Sequence, residues 1–256
     1  MKFITVIAEK PDVAKAIARH LHANARHDGY FEGNGYQVTW TYGHLVQLAS
    51  PKEHQWDATI ESLPFIPDSF ILKASSKGSS HKQLKVIETL LESTSLIIAA
   101  TDAGREGELI FRYIYSYLNC QLPFKRLMIS SLTPEAIDKG WNEIEEGTEY
   151  DHLYHSARAR SEADWIIGYN ASIALTQASR AISVLSLGRV QTPVLSMICA
   201  RFLQNKAFES IQFFSPEFQI LMGEDLITIK YNGDMITDNA IAQQLLNSIG
   251  DHIECF

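Results

Sequence analysis

Asp102, Glu106 and Glu108 fall within one short stretch, IIAATDAGREGELIFRYIY, residues 97–115. An apolar run stops there at an acidic loop, and an amphipathic pattern follows at once. Carboxylates that close repel one another, so their clustering needs an offsetting cation. Oxygen donors at this density suit Mg2+, a hard ion that prefers carboxylates, water and phosphate. Gly104 and Gly107 allow a tight backbone that a Cβ would block. Glu9 follows the apolar run FITVIA in the way that Asp102 follows LIIAA. Sites in parallel sheets gather at the carboxyl ends of strands. Neighbouring strands would therefore bring Glu9, Asp102 and Glu106 together. A plainer reading also exists for Glu106 and Glu108, because negative charge is favourable in the first turn of a helix. It leaves Asp102 at the strand end, and Arg105 between, without an explanation.

The elements that must position these groups alternate. KFITVIA reads as a buried strand, and Pro11 suits the first turn of a helix carrying Ala14, Ile17, Ala18 and Leu21 at helical spacing. Residues 36–49 read as strand with a turn at Gly43, and residues 50–68, with their prolines, as loop. SFILKA is a further strand, followed by a helix carrying Leu84, Ile87, Leu90 and Leu91. SLIIAA is the next strand, residues 107–118 a helix, and 125–129 a strand. Thr133-Pro134-Glu135 is a helix start, with Thr as cap. Strands alternating with helices predict an α/β layer with a mostly parallel sheet. From about residue 150 the pattern changes to long Ala-rich helices, 151–181 and 189–206. From 211 strands return, flanking a turn at Gly223-Glu224-Asp225, and a helix over 237–249 follows.

The chain has 256 residues, enough for one large or two smaller domains, and 46% apolar with 20% charged residues is an ordinary globular composition. No apolar run approaches a membrane span. Cys120, Cys199 and Cys255 lie far apart without metal-ligand spacing, so a reducing cytoplasm is the default. The net charge of −8 argues against a generic nucleic-acid coat. Residues 151–206 nevertheless hold six basic residues against three acidic ones, and nucleic-acid footprints are local.

Five ordered stretches, VIAEKPDVAKAIA, TWTYGHLVQLASP, ATDAGREGELI, RLMISSLTPEAIDKGW, and ARARSEADWIIGYNASIALT with LSLGRVQTPVLSMI, together resemble the type IA DNA topoisomerases, the topoisomerase III branch especially. The acidic stretch resembles the motif of the TOPRIM fold. The resemblance implies a Rossmann-like TOPRIM domain over 1–150, a helical DNA-binding region over 151–210, and the beginning of a β-rich arch over 211–256. It implies an isomerase that cuts one DNA strand through a 5′-phosphotyrosine, passes another strand and reseals, with Mg2+ and without ATP. Glu9 and Lys10 would be catalytic, and Glu9, Asp102 and Glu106 would hold the metal. His44, Arg105, Arg160, Asp164, Ser186, Gly188, Arg189 and Gln191 would meet single-stranded DNA. The setting implied is the cytoplasm, at the nucleoid, away from membranes.

Two departures stand out. The second aspartate of the family's acidic loop is Gly104 here, which removes one carboxylate. None of the ten tyrosines is followed by the family's x-Arg-Thr-Asp. In the family that motif comes later than residue 256. The expectation is therefore an N-terminal piece of a longer enzyme that does not cleave DNA by itself. Two alternatives are a Mg2+- and DNA-binding TOPRIM module without catalysis, and a TOPRIM nuclease or primase. SSKGSSHK lacks the Gly-Lys-Ser/Thr order of a phosphate loop, which argues against ATP. Gly188, at the start of the second long helix, would offer free backbone N–H groups as a phosphate seat. Trp40, Trp56, Trp141 and Trp165 read as core rather than as base-stacking platforms.

Overall fold

The β-branched run at the N-terminus folds as strand β1 (Phe3–Ala8), and both of its faces are covered. Val6 and Ala8 pack with Ile17 and Ala18 on one side; Ile7 packs with Leu84, Ile97 and Ile110 on the other. Enclosure on both faces is the environment of a central parallel strand. The computed structural model describes residues 2–76 and 78–248.

A seven-stranded sheet organises the first part of the chain. Its members are β1, β2 (Ala25–His27), β3 (Tyr30–Gly33), β4 (Tyr36–Trp40), β7 (Thr94–Ala100), β8 (Phe124–Arg126) and β9 (Glu145–Glu146), in the order β2-β3-β4-β1-β7-β8-β9. The inner strands β4, β1, β7 and β8 are mutually parallel, and the edges are antiparallel. Helices α1 (Pro11–His20) and α4 (Pro134–Asn142) cover one face, the second through Trp141. Helices α2 (Gly78–Glu92) and α3 (Arg105–Tyr117) cover the other. The α/β class and mostly parallel core agree with expectation. Strands β5 (Val46–Leu48) and β6 (Leu72–Ala74) form a separate antiparallel pair, so SFILKA does not join the main sheet. The β2–β3 hairpin was not expected. Its residues are partly or fully exposed and lack the alternation that marks a half-buried strand.

Helix α5 (Asp151–Ala178) is long, and α6 (Gln191–Lys206) follows it. The chain divides into two compact units, one ending at Pro193 and one starting at Val194. Within the second unit, β10 (Glu217–Met222) and β11 (Asp225–Lys230) pair as a hairpin whose turn holds Gly223 at φ 69°. Helix α7 (Asn239–Ser248) follows; residue 249 of the expected helix, and Cys255, lie outside the described residues.

Thr133 Oγ1 accepts the Ala136 N–H at 3.3 Å and caps α4, as its sequence position predicts. Thr133→Ala is expected to destabilise the chain by about 1 kcal/mol in urea denaturation. A change below a few tenths would show that the cap contributes nothing.

Candidate functional site

Parallel pairing of β1 and β7 sets Ala8 opposite Ala100, so both strands end at the same level. Glu9 and Asp102 leave those ends side by side. The Asp102 N–H donates to Glu9 Oε2 at 3.1 Å. Thr41 secures Glu9 from the next strand by donating its hydroxyl to the Glu9 carbonyl at 3.0 Å. Lys10 Nζ lies 3.1 Å from Asp102 Oδ2 and 3.7 Å from Glu9 Oε1. The Asp102 hydrogen bond, then the charges of Asp102 and Glu9, raise the Lys10 pKa above its ordinary value. One cationic position therefore already faces two carboxylates.

Glu106 does not join them. Its Oε1 lies 2.6 Å from His44 Nε2, across the mouth of the loop. The three-way convergence expected from sequence is met by Glu9 and Asp102 alone. Among the described residues no group of three or more His, Cys, Asp or Glu side chains is gathered tightly enough to hold a metal. The reason is directional: Glu106 stands on the first turn of α3, and His44 reaches it from the turn after β4.

The two glycines of the loop differ. A Cβ on Gly107 would stand 2.7 Å from the Asp102 nitrogen, 2.9 Å from its carbonyl carbon and closer still to its carbonyl oxygen. Only glycine lets α3 begin against that backbone. Gly104 has φ 168°, extended backbone open to any residue, and a Cβ there meets nothing within 4 Å. Gly104 is thus not required by the backbone, contrary to the expectation for both glycines.

Glu108 is fully buried. Its Oε1 accepts from Arg112 Nε at 2.8 Å and its Oε2 from Arg126 Nε at 2.9 Å. Both oxygens are engaged, so Glu106 is left as the loop's solvent-facing glutamate. Burial lowers the Arg126 pKa from its ordinary value, and the charge and hydrogen bond of Glu108 oppose that shift. Arg126 escaped the sequence reading; its one visible signal is a lone arginine closing a strand otherwise flanked by apolar residues.

A cleft of about 550 Å3 opens between this loop and α5. His44, Asp102, Arg105, Glu106, Arg160 and Asp164 line it. Arg189 grips Asp164 with two hydrogen bonds, at 2.7 and 3.2 Å, and Arg160 lies 3.9 Å from the same carboxylate. The Arg189 hydrogen bond is the main cause that lowers the Asp164 pKa. Ser186 Oγ donates to Gln191 Oε1 at 3.3 Å. The Gly188 N–H donates to Thr192 Oγ1 at 3.1 Å, so that one N–H of the expected phosphate seat is already engaged. Ser186, Gly188, Arg189 and Gln191 stand outside the cleft lining and join it through Arg189 and Asp164. Trp165 is buried and its indole donates to the Ala49 carbonyl at 2.7 Å, a core role as expected.

A model of the Toprim domain family matches residues 5–132, half of the chain. The chain belongs to the Toprim family. A second family model, of DNA topoisomerase, matches residues 148–255 beyond that Toprim domain. DNA topoisomerase 3 of Bacillus subtilis is 45% identical over 221 residues, covering 84% of this chain and 30% of that protein. DNA topoisomerase 3 of Staphylococcus aureus is 43% identical over 217 residues, covering 82% and 30%. These relatives bear out the kinship with topoisomerase III-like, type IA proteins. The chain spans about 30% of their length. Full-length topoisomerase I from Thermotoga maritima shares the fold, with a TM-score of 0.57 at 23% identity over 94% of this chain and 37% of that one. No helix among the described residues is long and apolar enough to cross a membrane.

Proposed function

We propose that this Toprim chain contributes the metal loop and part of the DNA-binding region of a type IA topoisomerase, an enzyme that cleaves, passes and religates single-stranded DNA without ATP. Its regions run 1–150, 151–210 and 211–256, and its setting is the cytoplasm at the nucleoid. Most support comes from Glu9 and Asp102, which meet over Lys10 at the ends of adjacent parallel strands beside an arginine-bearing cleft. The Lys10 ammonium lying against both carboxylates supports reading this donor set as one that takes positive charge. Mg2+ fits such oxygen donors; Glu9 and Asp102 would hold it, and Glu106 would join them only by leaving its hydrogen bond to His44. When bound, it stabilises charge on phosphate oxygens.

The chain's own residues have separable roles. Arg105 and Arg160 attract and align the phosphate backbone in the cleft. Lys10 gives a point charge to the phosphate that a tyrosine attacks. Glu9 returns a proton to the departing 3′-oxygen as the phosphorus–oxygen bond breaks, and takes it back on religation. The tyrosine is not supplied by any x-Arg-Thr-Asp motif of this sequence.

The test is to mix the chain with labelled single-stranded DNA, with and without Mg2+, on native and denaturing gels. A native shift without adduct or cleavage, its Mg2+ dependence lost in Asp102→Ala, is the expected result. Covalent adduct or metal-dependent cutting would favour a nuclease, and a priming product would favour a primase. A second reading is a Mg2+- and DNA-binding module without catalysis, to which the same Glu9–Asp102 site and arginine-bearing cleft apply. Adding the tyrosine-bearing remainder of a relative in trans separates the two: restored cleavage supports the topoisomerase.

A further inference from the structure

Arg126 has zero exposure, yet it makes four hydrogen bonds, three of them to backbone carbonyls at the ends of the central strands. Its Nη1 donates to the carbonyls of Ala99 at 2.8 Å and Leu127 at 3.2 Å, and its Nη2 to the Asp102 carbonyl at 2.8 Å. Its Nε is held by Glu108. Asp102 is therefore clamped at both backbone groups, the N–H by Glu9 and the C=O by Arg126. Glu108 in turn takes Arg112, whose Nη2 donates to Asp151 Oδ1 at 2.6 Å and to the Gly147 carbonyl at 2.8 Å. Two arginines and two acids compensate one another, so this chain of contacts adds no net charge behind the loop.

A buried ion network of this kind is often replaceable by apolar packing without loss of stability. Its geometry here serves another end. We infer that Arg126, seated by Glu108, is a positioning residue that fixes the Asp102 backbone so that its carboxylate faces Glu9 and the bound cation. This inference rests on the Mg2+ reading of the site. Glu108 then belongs to the support of the loop and not to the metal ligands. The planar guanidinium fork matters because one ammonium cannot serve the carbonyls of Ala99, Leu127 and Asp102 while also facing Glu108.

The test uses the 256-residue chain, titrated calorimetrically with Mg2+ alone, beside thermal unfolding and a Mg2+-free DNA gel shift. Arg126→Lys is expected to weaken Mg2+ binding at least about 10-fold in a cooperatively folding protein, with the Mg2+-free DNA shift unchanged. A lower Tm with an unchanged Mg2+ affinity would make Arg126 purely structural and overturn the inference. If Arg126→Lys fails to fold, Glu108→Gln keeps the volume and one acceptor, and it is read in the same way. At least about a threefold weakening is expected there, and wild-type affinity overturns the inference. Asp102→Ala separates the levels. Binding lost in Asp102→Ala but kept in Arg126→Lys sinks only the role of Arg126. A wild-type chain that binds no Mg2+ sinks both that role and the metal reading.

Discussion

Gly107→Ala is expected to abolish measurable Mg2+ binding and to destabilise the chain by about 3 kcal/mol, the upper range for overpacking a tight site. The added Cβ would stand 2.7 Å from the Asp102 nitrogen and 2.9 Å from its carbonyl carbon. Both neighbours are backbone, and neither is free to give way. The Asp102 N–H is held by Glu9 and its carbonyl by Arg126, while the Thr101 hydroxyl donates to the Gly107 carbonyl at 2.7 Å. Relief would have to come from α3, whose Leu109, Ile110, Phe111, Tyr113 and Ile114 are all buried. Moving α3 carries Glu106 with it. Urea denaturation and Mg2+ calorimetry measure the two effects. Gly104→Ala is the control, and it should stay within about 0.5 kcal/mol of wild type because its site is open and its backbone extended. A Gly107→Ala chain with wild-type Mg2+ affinity would show that the loop does not depend on this close approach.

Gly104→Asp is expected to tighten Mg2+ binding about 30-fold, the opposite direction from the other loop substitutions. The family pattern has an aspartate at this place, and this chain lacks it. Space and backbone both permit its return. A unit negative charge about 4 Å from a doubly charged ion in water contributes about 2 kcal/mol, which is the fold-change given. The gain should shrink at high ionic strength, because Gly104 is open to solvent. Calorimetry at two salt concentrations reads both points. An unchanged affinity would mean that a carboxylate at 104 points away from the ion and that the carboxylates already present suffice.

The alternation of apolar runs with helical patterns was readable because each strand and helix advertises its own period. Pro11, Thr133 and Pro134 marked helix starts through local backbone chemistry. The β2–β3 hairpin was missed because its partly or fully exposed strands show no alternation; its legible signal was the two-residue Asp28-Gly29 turn between His27 and Tyr30. Helix α3 begins at Arg105, two residues before the expected start and four before Leu109, its first apolar side chain, so the sequence pattern placed its start late.

The residue types alone determined that carboxylates stand at strand ends and that an arginine-bearing helix follows. Folding decided which of them meet. Adjacency of β1 and β7 pairs residues more than ninety positions apart, a choice of strand order that no local period encodes. His44 drew Glu106 aside across 62 positions. Arg126 and Glu108 look like ordinary charged residues in the sequence and become a buried clamp only when β8 lies beneath α3. Gly104 and Gly107 are the same residue three positions apart. One faces open space and the other an immovable carbonyl, a difference set by what packs against them. Side-chain direction and close packing are products of the assembled layers, and chemistry at this loop depends on both.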